Sequence, residues 1–250
     1  MSAPHSNGVE VHSDVGKFEQ TQWTIILKAR QEGSPGASEA LEAFARTYWP
    51  PLYRFIRREG HSRHDAQDLT QGFYQHFLDK HLLDCVGERR GKFRNFLLTC
   101  LKHFLSDERD RAEALKRGGG MSFISLDALE TEERDAMEPS DGLTADQIYE
   151  RRWAQTILEC AQERLREKYA AKGNLALYEA LKGLLLGEKA EASYSEIARG
   201  LDSTEQAIKS AARLLREQFF KILRKQIERT VGNPSEIDDE IRHLITALAA

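Results

Sequence analysis

Two histidines and two carboxylates lie close together in the stretch GHSRHDAQDLTQGFYQHFL at 60–78. They are His61, His64, Asp65 and Asp68. Imidazole nitrogens and carboxylate oxygens are the atoms that bind zinc and other divalent metals. A metal-dependent hydrolase is therefore one hypothesis for this stretch. It predicts bound metal in the purified protein and loss of activity on chelation.

The spacing of the neighbouring residues favours a different use of this stretch, as a helix with one polar face. At 100° per residue, an arc of about 120° holds Asp65, Asp68, Gln71 and Gln75. A separate apolar arc holds Ala66, Leu69, Phe73 and Phe77. His61 precedes the expected helix start near Ser62, so the side chains of the four candidate ligands do not converge on one point. The sequence also lacks an HExxH motif, a phosphate loop and a nucleophile elbow. We therefore interpret the acidic face as a surface for docking another protein.

The composition is that of a soluble globular protein. The chain has 250 residues, of which 40% are hydrophobic and 30% charged, enough for one large domain or two small ones. No apolar run approaches the roughly 20 residues that span a bilayer. The start, MSAPHSNGVEVHSDVG, lacks the order of a signal peptide, and the three cysteines are odd in number and widely spaced. We expect a cytoplasmic protein that does not associate with membranes.

Charge is distributed in three blocks along the chain. Residues 89–117 contain nine basic and four acidic side chains, residues 118–150 one basic and nine acidic, and residues 207–229 seven basic and two acidic. Clustered lysine and arginine attract nucleic-acid phosphates, which acidic segments repel. The pattern favours two DNA-facing modules joined by an acidic connector. Solvated charged faces without a nucleic-acid partner are the alternative that charge alone leaves open.

Apolar residues recur at helical spacing almost everywhere outside the acidic block, and no segment alternates as a strand does. We predict an all-α fold, with Pro50-Pro51 ending one helix and opening the next. Glycines 118–120 begin the expected linker. The predicted organisation is a mobile N-terminal extension, a helical domain, an acidic flexible linker, a second helical domain and a C-terminal helical extension. These five parts span residues 1–19, 20–117, 118–146, 147–230 and 231–250.

The second predicted domain contains the pattern of a helix-turn-helix in SYSEIARGLDSTEQAIKSAARLLREQFFKIL. Ser193 with Glu196, and Ser203 with Gln206, have capping-box spacing and mark two helix starts ten residues apart. Gly200 is placed to end the first helix in a left-handed conformation. The second helix has an apolar stripe for docking and a separate polar stripe, as a recognition helix requires. An ordinary helical hairpin is the alternative.

Several stretches resemble bacterial RNA polymerase sigma factors of the extracytoplasmic-function (ECF) type. DAQDLTQGF at 65–73 resembles the DAEDLTQ-type helix of that family. Similar stretches are WTIILKAR at 23–30, YWPPLYRFIRREG at 48–60, RGKFRNFLLTCLKHFLSDERDRAEALKRGGG at 90–120 and RRWAQTIL at 151–158. The resemblance implies a helical bundle like sigma region 2 and a helix-turn-helix like sigma region 4. SAARLL in the recognition helix departs from the usual pattern, so promoter preference is not transferred.

The resemblance assigns roles to three groups of residues. Contact with the polymerase clamp helices is implied for Asp65, Asp68, Leu69, Gln71 and Gln75. Binding of the minus-ten promoter element is implied for Arg94, Lys102, His103, Asp107, Arg109, Arg111, Lys116 and Arg117. Binding of the minus-thirty-five element through the helix-turn-helix is implied for Ser203, Thr204, Glu205, Gln206, Lys209, Ser210, Arg213 and Arg216.

The resemblance implies a transcription initiation factor without enzymatic activity, cofactor or metal. Its implied partners are core RNA polymerase, through the clamp helices and flap, and promoter DNA, with an anti-sigma factor as a further candidate. We expect a monomer in the free state. A stand-alone helix-turn-helix regulator is the alternative function, and it differs in binding duplex DNA tightly without polymerase.

Overall fold

The computed structural model describes residues 37–79, 92–118, 142–185 and 193–249, and for 37–40, 79 and 115–118 the backbone alone. The α-helices are α1 (Ala37–Arg58), α2 (Arg63–Asp79), α3 (Phe93–Gly118), α4 (Ala145–Ala170), α5 (Leu175–Leu181), α6 (Tyr194–Gly200), α7 (Glu205–Glu228) and α8 (Ile237–Ala249). Short 3-10 helices cover Lys182–Leu184 and Pro234–Glu236. No strand occurs in these ranges, which confirms the all-α class for them. None of the helices described is both long and apolar enough to cross a membrane.

Helix α1 runs through Pro50 and Pro51 without ending, so the predicted helix boundary at these prolines is wrong. A proline inside a helix costs about 3 kcal/mol because it removes a hydrogen bond and crowds the preceding turn. Burial of one large apolar side chain contributes about 1.5–3 kcal/mol. The buried stripe continues across the prolines, with Phe44 and Tyr48 before them and Leu52 after them. Packing of this stripe therefore outweighs the local preference.

Helix α4 lies at the centre of the packing. Its predicted apolar stripe is confirmed, since Trp153, Ile157, Ala161 and Leu165 are all buried. It packs most extensively along α1 and also against α5, α7 and α8. A continuous hydrophobic core includes residues from all eight helices. Segments assigned to both predicted domains thus pack together in this structure. Of the predicted linker, 118–146, residues 119–141 lie outside the described ranges, while Ala145 and Asp146 already belong to α4, so its predicted end is too late.

The two halves of α3 differ sharply in burial. The first half contributes Phe93, Leu97, Leu101, Phe104 and Leu105 to the core. From residue 106 to residue 114 the side chains are exposed, except for half-buried Glu108. The first half of α3 is therefore a core helix, while its second half extends along the surface.

The two helices predicted for the helix-turn-helix are present as α6 and α7, with two local differences from the predictions. The Ser193–Glu196 capping box is present, as predicted. The second cap is Thr204, whose Oγ1 accepts a hydrogen bond from the Ala207 backbone N–H, so Ser203 is not the cap. Gly200 remains helical, and Asp202 adopts the left-handed conformation with φ 47°. Asp tolerates this conformation better than most residues, which moves the turn two positions along the chain.

The predicted C-terminal helix is present as α8. The Pro234–Glu236 3-10 turn leads into α8. Asn233 caps this turn, because its side-chain oxygen accepts a hydrogen bond from the Ser235 backbone N–H at 3.0 Å. Ile237, Leu244 and Ala247 are buried against α4 and α7. The C-terminal segment is consequently an integral part of the packed structure.

Candidate functional site

The acidic face of α2 is built as the helical wheel predicted. Ser62 caps the helix, because its Oγ accepts a hydrogen bond from the Asp65 N–H at 3.1 Å. Ala66, Phe73 and Phe77 are buried and hold the opposite side against the core. The exposed side presents Asp65, Asp68, Gln71 and Gln75. Leu69 is half-buried beside them and packs against the core. This arrangement gives a rigid surface with two carboxylates and two amides.

The histidines of this region do not form a metal site with the carboxylates. His64 Nδ1 lies 3.1 Å from Asp68 Oδ2 in an exposed i,i+4 pair, while the Asp65 carboxylate accepts a hydrogen bond from Ser62 Oγ at 2.9 Å. In the described ranges no three His, Cys, Asp or Glu side chains are grouped to hold a metal. The described residues therefore contain no group of metal ligands on which a metal-dependent hydrolase could be built.

The residues predicted to bind the minus-ten element lie in two different environments on α3. The exposed members are Lys102, His103, Asp107, Arg109 and Arg111. Arg94 is only 3% exposed, at the buried start of the helix. The side chains of Lys116 and Arg117 lie outside the described residues. The structure therefore does not bring this predicted group together on one surface, and in this conformation Arg94 cannot reach a nucleic acid.

Arg94 is held by the C-terminal helix. Its Nε donates to Glu240 Oε1 at 2.7 Å, and its Nη2 donates to Glu240 Oε2 at 3.4 Å. The Lys92 ammonium lies 2.8 Å from Glu240 Oε2. Glu240 is fully buried, so this carboxylate is removed from water and shared between two cations. A buried acid needs such partners, because an unpaired buried charge is strongly destabilising.

Helix α4 completes the surroundings of Arg94. Glu150 accepts a hydrogen bond from Arg94 Nη1, and its other oxygen lies 2.8 Å from His243 Nε2 of α8. The Arg94 guanidinium also lies 5.0 Å from the centre of the Trp153 ring, within the range of a cation–π interaction. The Tyr149 hydroxyl donates to the Arg94 carbonyl oxygen at 3.0 Å. One arginine thus joins α3, α4 and α8.

The electrostatics of this cluster keep both central groups charged. Burial by itself raises the pKa of the Glu240 carboxyl, but hydrogen bonds and charges from Arg94 and Lys92 outweigh burial and leave that pKa below its ordinary value. Burial likewise lowers the pKa of Arg94, and the Glu240 hydrogen bond and the Glu150 charge more than reverse the effect. Near neutral pH the cluster is therefore a buried ion network.

A second, exposed ion pair connects α3 to the start of α4. The Lys102 ammonium lies 2.8 Å from the Asp146 carboxylate and 5.6 Å from the centre of the Phe55 ring. Because the pair is solvated, its contribution to stability is at most about 1 kcal/mol. Lys102 is therefore still able to exchange Asp146 for another anion.

The helix-turn-helix leaves its predicted recognition surface open. Ile208, Leu215 and Phe219 are buried and dock α7, as the apolar stripe predicted. The exposed predicted residues are Ser203, Thr204, Glu205, Gln206, Lys209, Ser210 and Arg213. Arg216 differs, since it is half-buried and its Nε donates to the Leu184 carbonyl at 3.0 Å. A polar stripe of seven predicted residues is thus exposed on α7 and on the turn before it.

Lys209 is the central cation of this stripe. Its ammonium lies 2.6 Å from Glu205 Oε1, with both side chains 50% exposed, and 5.9 Å from the centre of the Tyr194 ring. The hydrogen bond that Lys209 donates to the Glu205 carboxylate raises the pKa of Lys209. Lys209 therefore remains charged and solvated at the start of α7.

Sequence reasoning missed Glu240, although a signal for it was present. Ile237, Glu240, Leu244 and Ala247 recur at spacings of three and four, so the apolar stripe of α8 contains one glutamate. A charged residue on a buried stripe indicates a buried ion pair, since glutamate is rarely buried alone. The partner was not predictable locally, because Arg94 is 146 residues away.

Comparisons with known proteins return no match: no protein-family model, curated protein or solved structure is similar to this chain.

Proposed function

We propose that this protein is a sigma factor of the extracytoplasmic-function type, which binds core RNA polymerase and directs it to promoters. The observation that carries the proposal is the face of α2. Asp65, Asp68 and Gln71 stand exposed on one side of a helix whose other side is buried. The same residues lie in the DAQDLTQGF stretch that resembles the polymerase-binding helix of these factors.

This face suits a partner that is basic and rigid. Two carboxylates placed one turn apart attract cationic side chains and accept hydrogen bonds from them. A firmly packed helix loses little conformational entropy on binding, so more of the interaction energy contributes to affinity. In the proposed complex this helix contacts the clamp helices of the largest polymerase subunit.

The exposed start of α7 supports a role in binding promoter DNA. Gln206, Lys209 and Arg213 are exposed along a helix that follows a short helix and a tight turn. Glutamine can bond adenine in the major groove, while lysine and arginine bond guanine or phosphate. We assign recognition of the upstream, minus-thirty-five element to this surface.

The exposed second half of α3 supplies the surface proposed for the minus-ten element. Arg109 and Arg111 are its described cations, and the exposed Lys102 lies one turn before it; single-stranded DNA is held by such cations together with stacking side chains. The protein contributes no bond-making step in this mechanism. It places two DNA elements relative to the polymerase, and residues 119–141 would connect the two DNA-binding parts as an acidic linker.

Co-elution with bacterial core RNA polymerase on a sizing column tests the proposal. The wild-type protein is expected to form a complex, and the double variant Asp65→Asn/Asp68→Asn is expected to elute free. Asparagine at 65 retains an oxygen that can accept from Ser62 Oγ, so α2 should keep its cap. Circular dichroism checks that the variant stays helical.

The matched control is Glu42→Gln/Glu163→Gln, which also removes two exposed negative charges but leaves α2 unchanged. This control is expected to co-elute like the wild type. Absence of a wild-type complex, or equal loss from both double variants, contradicts the proposal. If the protein binds duplex DNA tightly but forms no complex with polymerase, the result would instead support a stand-alone regulator built on α6 and α7.

A further inference from the structure

The guanidinium of Arg94 binds the Glu240 carboxylate in the geometry with which arginine binds a phosphate group. Two nitrogens, Nε and Nη2, face the two carboxylate oxygens. Arginine forms this two-pronged arrangement with carboxylates and phosphates alike. The ammonium of Lys92 on the same carboxylate adds a second cation of the kind that neutralises phosphates. Glu240 thus occupies a site whose donor set suits nucleic-acid phosphate.

Helix α8 is the last of the described helices along the chain, so it can undock without displacing the helices before it. It has 13 residues and is joined to α7 by the turn that contains the Pro234–Glu236 3-10 helix. Its residues Ile237, Leu244 and Ala247 belong to the continuous hydrophobic core, and Glu240 is one of three α8 side chains hydrogen-bonded to charged side chains of neighbouring helices. Terminal elements undock at lower free energy than central helices do. We call the docked α8 the clasp.

The clasp joins both basic parts of the chain. Glu240 of α8 holds the start of α3, while α8 packs on α4 and α7. The Thr230 carbonyl, just beyond α7, accepts a hydrogen bond from the Phe93 N–H at 3.0 Å. Docked α8 therefore keeps the start of α3 against the segment that carries the helix-turn-helix.

We propose that α8 is an autoinhibitory latch, in which Glu240 takes the place of a nucleic-acid phosphate on Arg94 and Lys92 and keeps the start of α3 from binding DNA in the free protein. This inference rests on the proposed function, since it assigns a control to the DNA-binding surface of α3. When α8 undocks, Arg94 and Lys92 lose Glu240, and Arg94 keeps only Glu150 as its acidic partner. Phosphate then binds in the place of Glu240.

The test compares Glu240→Gln with Asp239→Asn in the full chain. Both substitutions remove one negative charge from α8, so general attraction to DNA rises equally, but Asp239 is exposed and pairs with Arg242 on the same helix. Fluorescence anisotropy measures binding of fluorescein-labelled single-stranded DNA at fixed salt without polymerase. Glu240→Gln is expected to tighten binding by about tenfold, while Asp239→Asn stays within about twofold of the wild type.

Hydrogen exchange of the α8 amides provides the structural readout. Glu240→Gln should accelerate exchange across residues 237–249 while the amides of α4 stay protected. Equal DNA affinity for the two variants overturns the latch, and so does tighter binding by Glu240→Gln with unchanged exchange in α8. If Glu240→Gln loses its helical circular dichroism signal, Leu244→Ala decides. That variant weakens the docking of α8 through its buried stripe and leaves both cations, Arg94 and Lys92, in place, so tighter binding supports the latch and weaker or unchanged binding overturns it.

Polymerase co-elution of the same proteins separates this inference from the proposed function. A wild type that joins polymerase, with equal DNA binding by the two α8 variants, leaves the sigma-factor proposal standing and rejects the latch. If the wild type does not bind polymerase but Glu240→Gln binds DNA more tightly than the wild type, the sigma-factor proposal is rejected. The latch is then retained as a feature of a different kind of DNA-binding protein.

Discussion

The start of α3 and the start of α7 carry similar basic side chains in opposite environments. At α3, Arg94 is 3% exposed and its partners come from α4 and α8. At α7, Lys209 is half exposed, and its acidic partner, Glu205, lies one turn earlier on the same helix. Both regions belong to blocks that are rich in lysine and arginine. A basic block therefore does not by itself identify a surface that DNA can reach.

The difference shows how the separation between ion-pair partners affects their role. An exposed i,i+4 pair contributes about 0.3–0.5 kcal/mol and is screened by salt, so an anionic ligand can replace Glu205 at little cost. The Arg94–Glu240 pair is buried and spans 146 residues, so replacing Glu240 requires movement of a helix. The start of α7 is therefore open to a ligand, while the start of α3 is gated by α8.

Removal of the buried arginine should produce the largest difference in stability between the two regions. Arg94→Ala leaves Glu240 buried with Lys92 as its remaining cation, so the free energy of unfolding should fall by about 3–5 kcal/mol. Urea denaturation followed by circular dichroism measures this change. Arg109→Ala, on the exposed half of the same helix, is the control and should shift stability by less than about 0.5 kcal/mol. Equal effects of the two variants contradict a structural ion network at Arg94.

Acid should weaken the gated region through Glu240. Because the folded state lowers the pKa of this carboxyl, its contribution to stability is complete above the ordinary glutamate pKa of about 4.3. The contribution is lost as the pH falls through the lowered pKa of the folded state. Between about pH 6 and about pH 3, the wild type should lose more stability than Glu240→Gln, by less than the Arg94→Ala effect.

Urea titrations at several pH values provide the measurement. Lys92, Arg94, Glu150 and His243 surround Glu240 in the cluster, and both proteins retain all four. The difference between their profiles therefore reports Glu240 alone. Parallel profiles for the two proteins contradict a lowered pKa at this residue.

Removing the N-cap of α7 should lower the stability of the protein by an intermediate amount. Thr204→Ala deletes the oxygen that accepts from the Ala207 N–H, which should cost about 1 kcal/mol. Ser203→Ala, one residue earlier, should be nearly neutral because the cap is Thr204. Thermal unfolding of both variants checks the assignment, and a larger loss for Ser203→Ala would restore Ser203 as the cap.

The smallest stability change is expected at Lys209, where the effect should appear in DNA binding instead. Lys209→Ala removes an exposed side chain, so stability should change by less than about 0.5 kcal/mol. If Lys209 contacts phosphate in the promoter complex, affinity should fall and the salt dependence of binding should decrease by about one ion. Promoter binding by the assembled polymerase complex at several salt concentrations measures both. Lys221→Ala, farther along α7, is the control, and an equal effect there would indicate general charge rather than a contact.

Local patterns predicted the features whose causes are local. The apolar stripes of α2, α4 and α7 follow helical spacing, and the Ser193 capping box depends on residues three apart. The acidic face of α2 was predictable for the same reason, because helix geometry alone places Asp65 and Asp68 away from Phe73 and Phe77. Local preference failed at Pro50-Pro51, where packing of Tyr48 and Leu52 keeps α1 continuous. It also failed at the turn, where Asp202 rather than Gly200 takes the left-handed conformation.

By itself, the sequence determined the helical structure of the described residues, with an acidic face on α2 and an exposed polar stripe on α7, because periodicity and capping act within a few residues. Tertiary structure alone decided that α1 and α8 pack on α4, and that Arg94 is buried rather than offered to a ligand. The physical reason is that the cost of burying a charge is offset only by partners brought from elsewhere in the chain. For Arg94 those partners are Glu150 and Glu240, which folding brings together from 56 and 146 residues away.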